Sequence, residues 1–165
     1  MTDKDLLEGK KILIVDDEPD VLASLEELLT MCEVSKAGTF DEAKNLLETQ
    51  TFDLAILDIM GVKGYELLDI SNKKGVIAVM LTAHALTPDN IVKSYKEGAA
   101  YFVPKEEITR IAIFLNDLLK AKKKGESTWL NWLERLTDAY WERKFGPDWK
   151  SKDKEFWENF PYLDF

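Results

Sequence analysis

The six-residue stretch DLAILD, from Asp53 to Asp58, places four apolar side chains in a row between two carboxylates. A continuous apolar run of this length is typical of a strand that is buried on both faces of a parallel sheet. A helix is disfavoured because the run is short and Gly61 and Gly64 follow at once. Ligands of open α/β sheets bind beyond the carboxyl ends of the strands, so the position of Asp58 predicts a functional carboxylate.

Similar apolar runs on both sides of this stretch predict four further strands, over residues 11–15, 33–37, 76–81 and 99–103. Segments with apolar residues at helical spacing separate the strands. The first of these helices is predicted to begin at Pro19 with Asp17 as its cap, because proline suits the first helical turn. Alternating strands and helices predict an α/β fold, a doubly wound parallel sheet with right-handed crossovers.

Parallel strands share one carboxyl edge, and reactive side chains follow four of the predicted strands. They are Asp16, Asp17, Asp58, Thr82 and Lys105. Carboxylates that lie close together repel one another unless a cation neutralises them. Lys105 supplies one positive charge, and Mg²⁺, which prefers oxygen ligands, supplies two more. This set predicts phosphoryl transfer to Asp58, with Mg²⁺, Lys105 and Thr82 stabilising the phosphoryl oxygens.

Four sequence blocks around these residues resemble the signature blocks of the receiver domain of two-component response regulators, the CheY-like family. The blocks are ILIVDDEP at 12–19, LDIM at 57–60, MLTA at 80–83 and FVPK at 102–105. The resemblance covers residues 11 to about 122. It implies a flavodoxin-like fold with five parallel strands in the order 2-1-3-4-5, which accepts a phosphoryl group from a sensor histidine kinase.

The resemblance also implies roles for individual residues. Asp58 is the phosphoacceptor, and Lys105 and Thr82 assist the transfer. The implied Mg²⁺ ligands are Asp16 through water, Asp17, Asp58 and the backbone carbonyl of Met60. Activity is expected to be limited to the protein's own phosphotransfer and dephosphorylation, so the chain is not predicted to be an enzyme acting on other substrates.

Thr82 and Phe102 are implied as the switch pair, whose movement changes the surface around residues 88–105 for a partner. Phe102 is alternatively a plain core residue. His84, the only histidine, lies two positions past Thr82 and is a candidate modulator of dephosphorylation. A surface-loop histidine is the simpler interpretation of His84.

Two departures from the family pattern lie close to the predicted site. The segment Met60–Gly64 contains no proline, and Gly64 follows Asp58 by only six positions. Pro104 precedes Lys105, where the family usually has a proline after the lysine. The altered turn favours a second hypothesis, a binding or scaffold module on a receiver fold with impaired phosphorylation.

Other enzyme classes agree less well with the sequence. An aspartate-nucleophile phosphatase of the haloacid dehalogenase type needs an acid two positions past the nucleophile, and here that residue is Met60. Flavin or dinucleotide binding is disfavoured because no glycine-rich loop follows the first strand. The single cysteine, Cys32, excludes an internal disulfide and is consistent with a reducing compartment.

The charge distribution disfavours nucleic-acid binding. The net charge of −9 comes from residues 1–120, while residues 121–165 are balanced. An acidic body repels phosphate backbones. No apolar run is long enough to span a membrane and no signal peptide is recognisable, so we expect a cytoplasmic protein without membrane contact.

Residues 125–165 are predicted to form an aromatic-rich helical extension behind a receiver domain at residues 1–124. This extension holds all five tryptophans. Ser127 is predicted to cap one helix that continues to Phe145, where Gly146 and Pro147 end it. So many aromatic side chains must pack against their own domain, a second copy or another protein. We expect no DNA-binding output, because the extension is neutral and short.

Overall fold

The computed structural model describes residues 5–160, which contain five strands and eight α-helices. In chain order these are β1 Lys11–Val15, α1 Pro19–Leu28, β2 Glu33–Ala37, α2 Phe40–Thr49, β3 Leu54–Asp58, α3 Gly64–Lys73, β4 Ile77–Thr82, α4 Pro88–Lys96, β5 Tyr101–Pro104, α5 Ile111–Lys124, α6 Thr128–Arg135, α7 Asp138–Phe145 and α8 Lys154–Asn159. Short 3₁₀ helices at Lys105–Arg110 and Ser151–Asp153 precede α5 and α8.

The strands form one parallel sheet in the order β2-β1-β3-β4-β5, which confirms the predicted fold class and strand order. β3 lies at the centre, and all five of its residues are buried, as expected for a strand covered on both faces. β5 lies at one edge of the sheet. The register pairs Asp58 with Leu81 and Thr82 with Pro104, which brings the carboxyl ends of β3, β4 and β5 level with one another.

The start of α1 differs from the prediction. Its N-terminal cap is Glu18, not Asp17, and Pro19 occupies the first turn as expected. The backbone N–H of Glu18 donates to Asp16 Oδ1 at 2.9 Å, which fixes the turn after β1. The Asp17 side chain lies beside Gly61 instead. α2 is capped by Thr39, whose hydroxyl accepts a hydrogen bond from the backbone N–H of Glu42.

The extension does not form the single helix predicted for residues 128–145. Leu136, with φ −121° and ψ 85°, ends α6, and α7 begins at Asp138. The break lets Trp141 stack on Trp132 with ring centroids 5.3 Å apart. In a continuous helix these residues, nine positions apart, would be separated by about 13.5 Å along the axis. Aromatic packing therefore outweighs the local helical pattern.

The extension packs on its own α/β domain, along the edge formed by β5. The Trp129 indole N–H donates to the carbonyl of Ala99 at 3.0 Å, and the rings of Phe156 and Phe160 lie against Tyr95 of α4. The aromatic residues could have packed against their own domain, a second copy or another protein. The structure places the described part of the extension on its own domain. Residues 161–165 of the predicted extension lie outside the described residues.

Gly125 makes the turn between α5 and the extension. It takes a left-handed conformation with φ +72°, which ends α5. The Ser127 hydroxyl then accepts from the backbone N–H of Trp129, which confirms it as the cap of α6. Within residues 5–160, the helices lack the combination of length and apolar character that crossing a membrane requires.

Candidate functional site

Lys105 brings the carboxyl ends of β1, β3 and β5 together. Its ammonium nitrogen lies 2.9 Å from Asp16 Oδ2, 3.2 Å from Glu18 Oε1 and 3.6 Å from Asp58 Oδ1. The Lys105 and Asp58 side chains are only 10% and 6% exposed, and Asp16 is fully buried. The structure therefore joins three of the predicted site residues, which lie far apart in sequence, in one shielded ionic cluster.

The cluster carries more negative than positive charge, and the pKa values of Asp16, Asp58 and Lys105 are all raised. Burial, followed by the charge of Asp16, raises the pKa of Asp58 to about 7, although Lys105 opposes the shift. Burial likewise raises the pKa of Asp16 against the hydrogen bond from Lys105. Burial alone would lower the pKa of Lys105, but the hydrogen bond to Asp16 and the charge of Asp58 raise it. A further cation would relieve this imbalance.

Thr82 ends β4 with a fully buried side chain. Its hydroxyl oxygen accepts a hydrogen bond from the backbone N–H of Ala85 at 2.9 Å. This contact fixes the oxygen while leaving the hydroxyl hydrogen to donate elsewhere. Thr82 is therefore held at the same rim as Asp58 with its donor capacity retained.

The turn after Asp58, which differs from the family pattern, is built around two glycines. Gly61 has φ +86°, and a Cβ there would overlap the Asp17 carboxylate. A Cβ at Gly64 would overlap the backbone carbonyl of Asp58. Lys63, between them, takes a left-handed conformation with φ +54°. The shortened turn thus packs tightly on the site, at the expense of one non-glycine residue in an unfavourable conformation.

The acidic residues at this rim suit a hard divalent cation. Carboxylate oxygens of Asp16, Asp17 and Glu18 lie within 4.8 Å of one another, and Asp17 and Glu18 are exposed to solvent. Mg²⁺ prefers a few carboxylates and retains several waters. A bound cation would favour the ionised form of Asp58, whose pKa is raised by burial and by the charge of Asp16. This group contains two of the predicted Mg²⁺ ligands, Asp16 and Asp17, together with Glu18, which was not a predicted ligand. The predicted roles of Asp58 and the Met60 carbonyl as ligands remain predictions.

Three other predicted residues occupy different surroundings. Phe102 is fully buried, with its ring centroid 6.4 Å from that of Trp141. Met60 is 52% exposed. His84 is 77% exposed, and its Nε2 lies 3.9 Å from Glu18 Oε1. His84 is therefore a surface side chain that neighbours Glu18 of the ionic cluster.

The family model described as the response regulator receiver domain matches residues 12–113. The chain belongs to this family. The receiver match covers β2 to β5, all of β1 except Lys11, and the whole ionic cluster. Helices α6 to α8 lie beyond the matched residues.

Similar proteins agree with this assignment. A receiver domain of Methanospirillum hungatei, described as CheY-like, is 30% identical, with a TM-score of 0.62 over 71% of this chain and 99% of that one. The two-component response regulator ARR18 of Arabidopsis thaliana is 33% identical over 59% of this chain and 16% of its own length. The probable transcriptional regulator ycf27 of Guillardia theta is 37% identical over 72% of this chain and 50% of its own length. The chain therefore spans half or less of the length of these two curated relatives.

Two residues of the receiver site had no predicted role. Glu18 was recognised only as part of the first signature block, yet it holds Lys105 at 3.2 Å. Gly61 supports the Asp17 carboxylate. Its position shortly after the phosphoacceptor strand marks a turn, but its contact with Asp17 depends on the packing of two distant loops.

Proposed function

We propose that this receiver domain is a phosphorylation-dependent signalling switch that accepts a phosphoryl group on Asp58 from a sensor histidine kinase. The observation that carries the proposal is the buried pair of Asp58 and Lys105, 3.6 Å apart at the sheet rim. A carboxylate nucleophile beside a fixed cation is suited to phosphoryl transfer, in which catalysis consists mainly of positioning and charge stabilisation.

In the proposed reaction, a carboxylate oxygen of Asp58 attacks the phosphorus of a phosphohistidine. The new O–P bond forms as the N–P bond breaks, and the leaving imidazole keeps the electron pair and takes a proton. Lys105 shifts its ammonium group toward the incoming phosphoryl oxygens. The Thr82 hydroxyl donates to one of these oxygens while Ala85 holds its own oxygen in place. Water can later hydrolyse the acyl phosphate and restore the carboxylate.

The rate of the proposed reaction depends on the fraction of Asp58 that is ionised. With a pKa of about 7, a large fraction of Asp58 carries a proton at neutral pH and is then a poor nucleophile. Bound Mg²⁺, held by Asp17, Asp58 and the Met60 carbonyl with Asp16 assisting, would supply the positive charge that keeps Asp58 ionised and neutralises the phosphoryl oxygens.

We further propose that the output is a change in a protein surface, in a protein of the cytoplasm. The acidic receiver domain and the neutral extension disfavour binding to DNA or RNA. The chemistry is proposed to end with the protein's own phosphorylation and dephosphorylation. The exposed Met60 side chain, two positions past Asp58, cannot transfer a proton as the acid of a phosphatase would.

The test is incubation with acetyl phosphate and Mg²⁺, followed by intact-mass measurement. We expect one phosphoryl group per chain, lost in Asp58→Asn. Asp53→Asn is the matched control, because Asp53 is an exposed carboxylate at the opposite end of the same strand segment. Absence of uptake in a folded wild-type protein would contradict the proposal. It would support the scaffold hypothesis, which the left-handed Lys63 in the altered turn favours.

A further inference from the structure

Two adjacent residues connect the phosphorylation site to the described part of the C-terminal extension, residues 125–160. Lys105 points to the ionic cluster, with its nitrogen 2.9 Å from Asp16 and 3.6 Å from Asp58. The next residue, Glu106, points to α7, where its carboxylate accepts hydrogen bonds from the Tyr140 hydroxyl and the Lys144 ammonium. Any displacement of the Lys105 backbone therefore reaches the contact between Glu106 and the extension directly.

The strand before these residues makes a second connection. Phe102 pairs with Met80 in the sheet, two positions before Thr82, and Pro104 pairs with Thr82 itself. The carbonyl of Phe102 accepts a hydrogen bond from the Trp132 indole N–H at 2.9 Å. Residues 102–106 therefore lie between the phosphorylation site and the extension.

The extension also makes two further kinds of contact. Its aromatic side chains are buried against one another and against Tyr95, and these contacts do not depend on charge. Among the described residues, the ion pairs that join it to the receiver domain include Arg135 with Asp117 at 2.7 Å, Lys144 with Glu106 at 2.6 Å and Lys152 with Asp89 at 2.8 Å. Of these, the Glu106 pair is the one adjacent in sequence to a residue of the ionic cluster.

We propose that the extension is the intramolecular partner that reads the state of Asp58, and that phosphorylation loosens it through Lys105 and Glu106. This inference rests on the proposed function. A phosphoryl group adds negative charge of about 1.5 to 2 units. Lys105, which Asp16 and Glu18 now hold more closely than Asp58 does, is drawn toward it. The backbone at Glu106 follows, and the hydrogen bonds to Tyr140 and Lys144 lose their alignment.

This coupling has a consequence in the reverse direction. Linkage between two sites is reciprocal, so a docked extension favours the unphosphorylated state to the same degree that phosphorylation disfavours docking. While the extension is docked, it contacts Tyr95 of α4 and Phe102 of β5, and it binds Glu106 of the 3₁₀ helix. Loosening the extension releases these receiver residues.

The tryptophans provide the measurement, because all five lie between residues 129 and 157. Fluorescence excited selectively at tryptophan therefore reports on the extension alone. The experiment treats the full chain with Mg²⁺ and acetyl phosphate and follows phosphate incorporation by mass and tryptophan accessibility by acrylamide quenching. We expect at least a twofold increase in the quenching constant of the phosphorylated protein, absent from Asp58→Asn.

Glu106→Gln and Glu107→Gln form a matched pair of variants. Glu106 is 45% exposed, so its replacement leaves the fold intact, and circular dichroism checks this. Glu107 pairs with Arg110 inside the same 3₁₀ helix, at 3.5 Å. We expect Glu106→Gln to raise quenching before phosphorylation and to shrink the phosphorylation-dependent change, while Glu107→Gln behaves as wild type.

The outcomes separate the inference from the function on which it rests. Phosphate incorporation without a change in quenching would overturn the coupling and leave the phosphoacceptor role intact. Equal responses of Glu106→Gln and Glu107→Gln would also overturn it. Failure of the folded protein to incorporate phosphate would overturn both.

Discussion

Replacing Asp58 with Asn is expected to stabilise the protein at pH 8 when Mg²⁺ is removed with a chelator. The reason is the pKa of Asp58, raised from an ordinary value of 3.8 to about 7 by burial and by the neighbouring carboxylates. A group with a raised pKa binds more protons in the folded than in the unfolded state between these two values. Its contribution is therefore intact below about pH 4, and it is lost as the pH rises through about 7.

The magnitude follows from the size of the shift. About three pKa units at ~1.36 kcal/mol each correspond to ~4 kcal/mol of lost unfolding free energy above pH 7. The Asn variant escapes this loss, and the opposing effect of Lys105 is already included in the net shift of the Asp58 pKa. We therefore expect Asp58→Asn to exceed wild type by ~2–4 kcal/mol at pH 8 and to show little difference near pH 4.

Urea unfolding followed by circular dichroism at both pH values measures this difference. Asp53→Asn serves as the control, because it removes a negative charge from the same strand segment. The Asp53 carboxylate is exposed and accepts a hydrogen bond from the backbone N–H of Lys11. Added Mg²⁺ should narrow the gap between wild type and Asp58→Asn, since the cation offsets the repulsion. An Asp58→Asn protein that is less stable than wild type at pH 8, or equally pH-dependent, would refute the reasoning.

Three further changes test the turn and the extension. Gly61→Ala places a methyl group at φ +86° against the Asp17 carboxylate. Urea unfolding should therefore show a decrease of ~1–2 kcal/mol or more in the free energy of unfolding, and calorimetry should show weaker Mg²⁺ binding. Unchanged values for both would contradict the described packing. Trp132→Phe leaves the buried carbonyl of Phe102 without its indole donor and should lower the unfolding free energy by ~1–3 kcal/mol, whereas an unaltered value would mean that this hydrogen bond contributes little. Deleting residues 126–165 should increase hydrophobic-dye binding or change the mass measured by light scattering; a monodisperse, equally stable product of unchanged assembly state would argue against a docked extension.

The sequence predicted the sheet and the site because both depend on simple patterns. Continuous apolar runs mark strands covered on both faces, and alternation with helices sets the parallel arrangement. Because parallel strands end at one edge, Asp58 and Lys105 were expected to meet, and their atoms lie 3.6 Å apart. The domain boundary after residue 124, and the catalytic and switch roles of individual residues, remain predictions.

The features that the sequence did not predict depend on packing between distant segments. The periodic apolar residues of the extension indicated one helix, but stacking of Trp141 on Trp132 requires the break at Leu136. Asp17 suits a helix cap locally, yet the turn after β1 makes Glu18 the cap and frees Asp17 to face Gly61. Each local pattern allowed more than one conformation, and contacts across the fold selected among them.

The position of α6 beside the outermost strand has a consequence for self-association. An uncovered terminal strand offers its backbone as a template on which another chain can add a strand and start aggregation. Here the indole N–H groups of Trp129 and Trp132 donate hydrogen bonds to the carbonyl of Ala99, just before β5, and to that of Phe102, within β5. Any event that releases the helices of the extension therefore also removes a safeguard against aggregation, and the released form should be the more aggregation-prone of the two.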